Sequence, residues 1–297
     1  IISSGVSMLV YDGGTANNTT VNGHGTMSVF SGGSASGLLL ESNGSLQLHN
    51  ALAENVTISR GGSAYISGGT IRNLALLSRG SASVSNVIIS GADVYSSGRL
   101  NCRSYQEGRM VISGAIIRSD GQITMSSGTS ISGAIVSKAG TLNLENGGSA
   151  YQTVLDEEGK FTMLGVAHHT VLNGGSMFVG DSAYRDYDGT GGMPTSNVYT
   201  EDIHASVNIL NSSWLHIYSG GTATSNTISS NSWAHVYWGG TATSNVINSS
   251  GYLTVQDSGT ADTTLLHSGG YMRLYAGAIL KGETNVGGKV TVTRAGT

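Results

Sequence analysis

The sequence predicts an all-β chain, a right-handed single-stranded parallel β-helix of about 19 residues per coil. Three observations predict it. A five-residue pattern recurs at steps of 18 or 19 residues. Within each copy, apolar and polar residues alternate, which marks a short strand with one buried face. Between copies the chain is Gly, Ser, Thr and Asn, with 45 Gly and a single Pro in 297 residues, so it turns often and disfavours long helices.

The pattern is Gly, any residue, apolar, polar, apolar. It occurs at Gly25–Val29, Gly44–Leu48, Gly62–Ile66, Gly80–Val84, Gly98–Cys102, Gly121–Met125, Gly140–Leu144, Gly159–Met163 and Gly175–Val179. It resumes at Ser213–Ile217, Ser232–Val236, Gly251–Val255, Gly270–Leu274 and Gly288–Val292, and Val6–Val10 fits without the glycine. These segments should stack in parallel register, with Gly supplying positive φ at the corners. About fifteen coils at the strand spacing give a rod on the order of 70 Å long. A second motif follows each anchor, as in Gly13–Ala16, Gly32–Ala35, Gly147–Ala150, Gly220–Ala223 and Gly239–Ala242. A third strand comes next, as in Asn55–Ile58, Asn226–Ile228 and Asn245–Ile247. Leucine-rich repeats need a Leu/Asn pattern that is missing, and propeller blades need about twice this period.

The irregular steps locate departures from the helix. The step from Gly98 to Gly121 is 23, which places a bulged corner near Tyr105–Gly108. The step from Gly159 to Gly175 is 16, a tight coil. The step from Gly175 to Ser213 is 38, two periods of 19. Residues 180–206 hold Pro194, Tyr184, Tyr187, Tyr199 and the acidic residues Asp181, Asp186, Asp188, Glu201 and Asp202, and read as a loop leaving the helix. The whole chain, 1–297, is expected to be one β-helix domain with that excursion.

Charged residues make up 11%, net charge is −4 and no Lys/Arg cluster occurs, so nucleic acid is not an expected partner. No run approaches the roughly 20 apolar residues of a membrane helix. The first residues already lie inside the repeat and suggest an excised fragment. Cys102, the sole cysteine, takes an apolar position of its strand and reads as a small buried hydrophobe.

The units Ser219–Ile228 and Trp238–Ile247 resemble the repeats of AIDA-type autotransporter adhesins, above all their glycosylated self-associating members. The likeness runs along nearly the whole chain and is clearest at 1–40 and 210–292. It implies a passenger displayed on the bacterial outer surface by type V secretion. It also implies aggregation of cells, biofilm formation, and adhesion to or invasion of host cells through a surface receptor or glycan. A cytoplasmic heptosyltransferase would modify serines before export. Ser34, Ser36, Ser219, Ser225 and Ser244, beside the Gly-Gly motifs, are the candidate acceptors.

An enzyme of the tailspike or lyase type is the alternative on this fold. Glycoside hydrolysis needs two carboxylates at set separation, and no Asp/Glu pair recurs at the coil spacing on regular strands. Asp186–Gly189 lacks the spacing of a calcium loop. His168 and His169 are adjacent and point apart if extended, so they cannot share a metal. Neither a cofactor nor catalysis is expected. One outward face does stand out. Trp214, Trp233, Tyr252 and Tyr271 recur every 19 residues, beside His216 and His235, with Tyr218 and Tyr237 two positions further. Such ladders stabilise neighbouring strands. They also offer a flat contact surface for sugar rings or another copy.

Overall fold

The computed structural model describes residues 1–104, 110–180 and 203–293, with backbone alone at Ile203 and Val207. The bulged corner expected at Tyr105–Gly108 and the acidic and tyrosine residues of the loop at 181–202 lie outside the described residues. The chain divides into two compact units, Ile1–Tyr151 and Gln152–Thr297. Each is a parallel β-solenoid, and the described residues contain strands and no helix.

In the first unit Thr26–Val29 pairs in register with Ser7–Val10 on one side and with Ser45, Leu46, Gln47 and Leu48 on the other. Ser45 in turn pairs with Ser63 and Leu48 with Ile66. All are parallel, at the expected steps of 18 or 19. The inward residues Met27, Val29, Leu46, Leu48 and Ile66 are at most 1% exposed, which builds a narrow aliphatic core. Arg99 pairs directly with Gln122, so the 23-residue step is a single coil with extra residues.

The second unit repeats the plan. Trp214–Ile217 pairs with Trp233–Val236, which pairs with Tyr252–Val255 and then Tyr271–Leu274. The predicted inward set is buried, from Leu215 and Ile217 to Met272 and Leu274. The tight step is present, since Lys160 pairs with Ser176. The 38-residue step is not two coils. Ser176 pairs directly with Trp214, and Val171 with Ile209, so one coil carries the whole insertion. The strand resumes at Ile203 and runs to Asn211, so His204–Ser206 belong to regular structure rather than to the loop.

The glycines divide the labour differently from the expectation. Gly220 and Gly239, the first of each Gly-Gly pair, have φ of 73° and 69° as expected. The anchor glycines Gly44, Gly98 and Gly121 do not; a Cβ there would run into the carbonyl of Val21, Leu76 or Val94 one coil earlier. Glycine is needed at the anchor for close backbone approach. The left-handed conformation before it falls on side-chain-bearing residues: Ser42 and Asn43 (φ 50° and 65°), Ser96 and Ser97 (50° and 63°), and Ser119 and Asp120 (49° and 61°). These pairs close tight turns such as Gly44 N–H to Glu41 O, 2.9 Å. Two positive φ values in succession give the type I′ geometry. Cys102 is 1% exposed, and burial pushes its thiol well above the ordinary cysteine range.

Candidate interaction surfaces

The aromatic face of the second unit is a set of stacked columns. The rings of Trp214 and Trp233 lie 4.6 Å apart at 14°, Trp233 and Tyr252 5.3 Å at 10°, and Tyr252 and Tyr271 5.0 Å at 9°. Beside them Phe178 stacks on His216 at 5.0 Å, His216 on His235 at 5.6 Å, and Tyr218 on Tyr237 at 4.6 Å. His216 Nδ1 and the Tyr237 hydroxyl are 3.1 Å apart. Arg273 lies over the Tyr275 ring at 5.0 Å. The sequence spacing located these columns because parallel in-register pairing places like side chains one rung apart.

This geometry changes what the face offers. Both planes of the inner rings Trp233 and Tyr252 are covered by the rings of adjacent coils, so their edges face solvent. Sugar rings bind aromatic side chains through the ring plane, and the inner members of a stack have none to give. Trp214 and Tyr271 are 40% and 39% exposed, Trp233, Tyr252 and Tyr237 are half-buried, and Tyr218, expected outside, is 7% exposed. The columns therefore brace the coils first. Burial lowers the pKa of His235, whose Nε2 is enclosed without a hydrogen-bond partner.

The candidate serines separate into two groups. Ser225 and Ser244 are exposed, with φ of 55° and 54°, at equivalent bends within the strands Gly221–Ser229 and Thr241–Ile247 of adjacent coils. Ser34, Ser36 and Ser219 are half-buried, the first two inside the strand Ser34–Leu40. His168 lies in a strand with Nδ1 2.6 Å from Ser206 Oγ, while His169 sits at a corner with φ 58°.

Sequence reasoning missed three features. Tyr11, Phe30 and His49 form a second stack, in the first unit, at 5.1 and 5.5 Å; their spacing of 19 was a readable signal. A buried amide ladder runs through the second unit. Asn208 Nδ2 donates to Asn226 Oδ1 at 2.8 Å, Asn226 to Asn245 at 2.9 Å, and Asn245 to Thr264 Oγ1 at 3.3 Å. Asn226 and Asn245 also donate to the carbonyls of Ala223 and Ala242. All four are at most 1% exposed. The third feature is an outward aliphatic column: Val154 pairs with Val171, Val171 with Ile209, Ile209 with Thr227, Thr227 with Val246, and Val246 with Leu265.

Among solved structures, the chain is similar to the crystal structure of a TibA fragment hyper-glycosylated by TibC. Identity is 24%, 94% of this chain and 97% of that chain are covered, and the TM-score is 0.59. The two share the β-solenoid fold. The Dettilon tailspike protein matches at 11% identity over 94% of this chain and 60% of that one, with a TM-score of 0.29, too low to carry an argument. No family model and no curated protein matches.

Proposed function

We propose that this chain is the passenger of a bacterial surface adhesin, displayed outside the cell, where it joins cells through contacts between copies and attaches them to host surfaces. The observation that carries the reading is the repetition of the same outward side chains in register on successive coils. Thr222 and Thr241 are paired in one such row, which ends at the buried Thr260, and Ser206, Thr224, Thr243 and Asp262 form another. A periodic surface matches a second copy of itself over many positions. Each hydrogen bond contributes only about 0.5–1.5 kcal/mol, and display of many copies multiplies weak contacts. With a net charge of −4, repulsion between copies is small at physiological ionic strength. The fold shared with the TibA fragment and the AIDA-type repeat support the same reading.

The hyper-glycosylated state of the TibA fragment extends the proposal to modification. A cytoplasmic heptosyltransferase reaches exposed hydroxyls at bends, so Ser225 and Ser244 rank above Ser34, Ser36 and Ser219. The host partner is a receptor or glycan of the cell surface. Non-aggregating bacteria made to display the chain should clump and adhere to cultured host cells. Peptides containing Ser225 and Ser244 should gain heptose-mass increments when the transferase is co-expressed. Displayed protein without clumping or attachment would overturn the reading; unmodified peptides would remove the glycosylation half alone.

A further inference from the structure

We infer that the open plane of Trp214 binds one sugar ring, a neutral hexopyranose with an unbroken apolar face, as in β-galactosides. The inference rests on the adhesin reading for its setting and names the chemistry of the host partner. Ser176 pairs with Trp214 on one side and with Lys160 on the other, so these three outward residues stand on three successive coils. Trp214 stacks on Trp233 at 4.6 Å and on His235 at 5.7 Å, both of the next coil, and lies beside His216 of its own. Toward the previous coil its column offers only the short side chain of Ser176. That plane of the indole meets no ring among the described residues. Trp214 is accordingly 40% exposed, while Trp233, covered on both planes, is half-buried.

The gap is local. Two positions along from Ser176, Phe178 stacks on His216 at 5.0 Å, so the neighbouring column does carry a ring on this coil. At the far end of the Trp214 stack, Lys289 pairs with Tyr271 and has a long stem to lay on that ring. Over Trp214 the stack stops at a side chain too short to cover an indole.

The surroundings of the gap select what fills it. Trp214 and Lys160 stand two rungs apart, about 9.6 Å, which leaves room for one ring between the indole and the lysine stem. The C–H groups on the apolar face of a pyranose match the indole plane. Its rim hydroxyls match the polar groups at the gap, since the Ser176 hydroxyl both donates and accepts and the exposed Lys160 ammonium donates. A flat aromatic ligand would cover the indole and leave those groups unused. Exposed Glu157 and Glu158 precede Lys160 in the chain, so an anionic sugar meets repulsion beside the attraction and a neutral one is favoured. A single ring of about a dozen non-hydrogen atoms binds with a Kd on the order of millimolar. Display of many copies makes such weak contacts effective.

The test is saturation-transfer NMR on the purified chain with methyl β-galactoside, with thermal unfolding of each variant alongside. Wild type should transfer saturation most strongly to H3, H4 and H5, which form the apolar face of the sugar. Ser176→Tyr supplies the missing ring of the stack. It should keep the melting temperature or raise it and lose the transfer, a combination that damage to the fold would not produce. Trp214→Ser should lose the transfer as well. Methyl β-glucuronide should bind wild type no more tightly than the galactoside does. Absence of transfer from wild type, or undiminished transfer from either variant, would overturn the site. Tighter binding of the glucuronide would overturn the choice of a neutral sugar. Displaying cells that attach to host cells, from a chain that binds no sugar, would remove this site and leave the adhesin reading. Sugar binding by a chain whose displaying cells neither clump nor attach would remove the adhesin reading and leave the site.

Discussion

Asn226 shows how one residue acts when its partners are identical to it. Its amide accepts from Asn208 and donates to Asn245, with all three side chains buried. Asn226→Ala leaves the Asn245 carbonyl oxygen without its donor and Asn208 with only two long bonds, to Ala205 O and Thr224 O at 3.4 Å, and an orphaned buried group costs about 1–3 kcal/mol. The same column in the first unit is apolar, through Leu38, Val56, Leu74 and Ala92. Replacing Asn208, Asn226 and Asn245 together by Val should then cost less than the single Ala change, as read by denaturant unfolding. Losses that simply add across the three sites would refute the ladder's cooperativity. His235 makes a second residue-scale prediction. Burial lowers its pKa below the ordinary 6.5. As pH falls below that value the unfolded chain takes up a proton first, so this contribution is whole above it and is lost toward acid. The melting temperature should fall between pH 7.5 and 5, and His235→Gln should flatten part of that slope. An unchanged slope in the variant would remove His235 as the cause.

Individual coils depend on the contrast between anchor and corner. Gly121→Ala drives a methyl into the Val94 carbonyl and should destabilise by about 1–3 kcal/mol or more, as overpacking does. Two residues earlier, Ser119→Gly should be neutral or stabilising by up to about 1 kcal/mol. It relieves a left-handed φ of 49°, worth about 1–2 kcal/mol, against about 0.4–1 kcal/mol of added chain entropy. Thermal unfolding of the two variants checks the pair, and equal losses would contradict the division of labour. Trp214→Ser should lose about 0.5–1.5 kcal/mol beyond area burial, the usual value of an aromatic pair. Much of this architecture was legible, because alternation and the 19-residue step directly encode strand faces and rungs. The anchor glycines misled because positive φ is the commonest reason for Gly, whereas close approach to another coil leaves no local mark. Asn226 and Asn245 read as the first residues of a third strand, but nothing in a polar amide announces that its neighbours a coil away will bury and pair it. The 38-residue step misled because it is a multiple of the period by coincidence.

Across the molecule, both units use a thin aliphatic core and present repeated polar rows outward. The low content of charge, 11%, keeps those rows able to approach copies of themselves. Sequence showed this surface as composition; which rows face water, and which serines are exposed, followed only from the register. The candidate aromatic face was found by spacing, but the planes of its inner rings are taken up within the stack, a consequence of in-register pairing one rung apart. The central claim is homotypic adhesion through this repeated surface. It is tested most directly by mixing cells that display the chain with differently labelled cells that do not, and counting both in the settled clumps. The account predicts clumps composed of displaying cells, with the others left in suspension. Dispersed displaying cells, at a surface density confirmed by antibody, would contradict it.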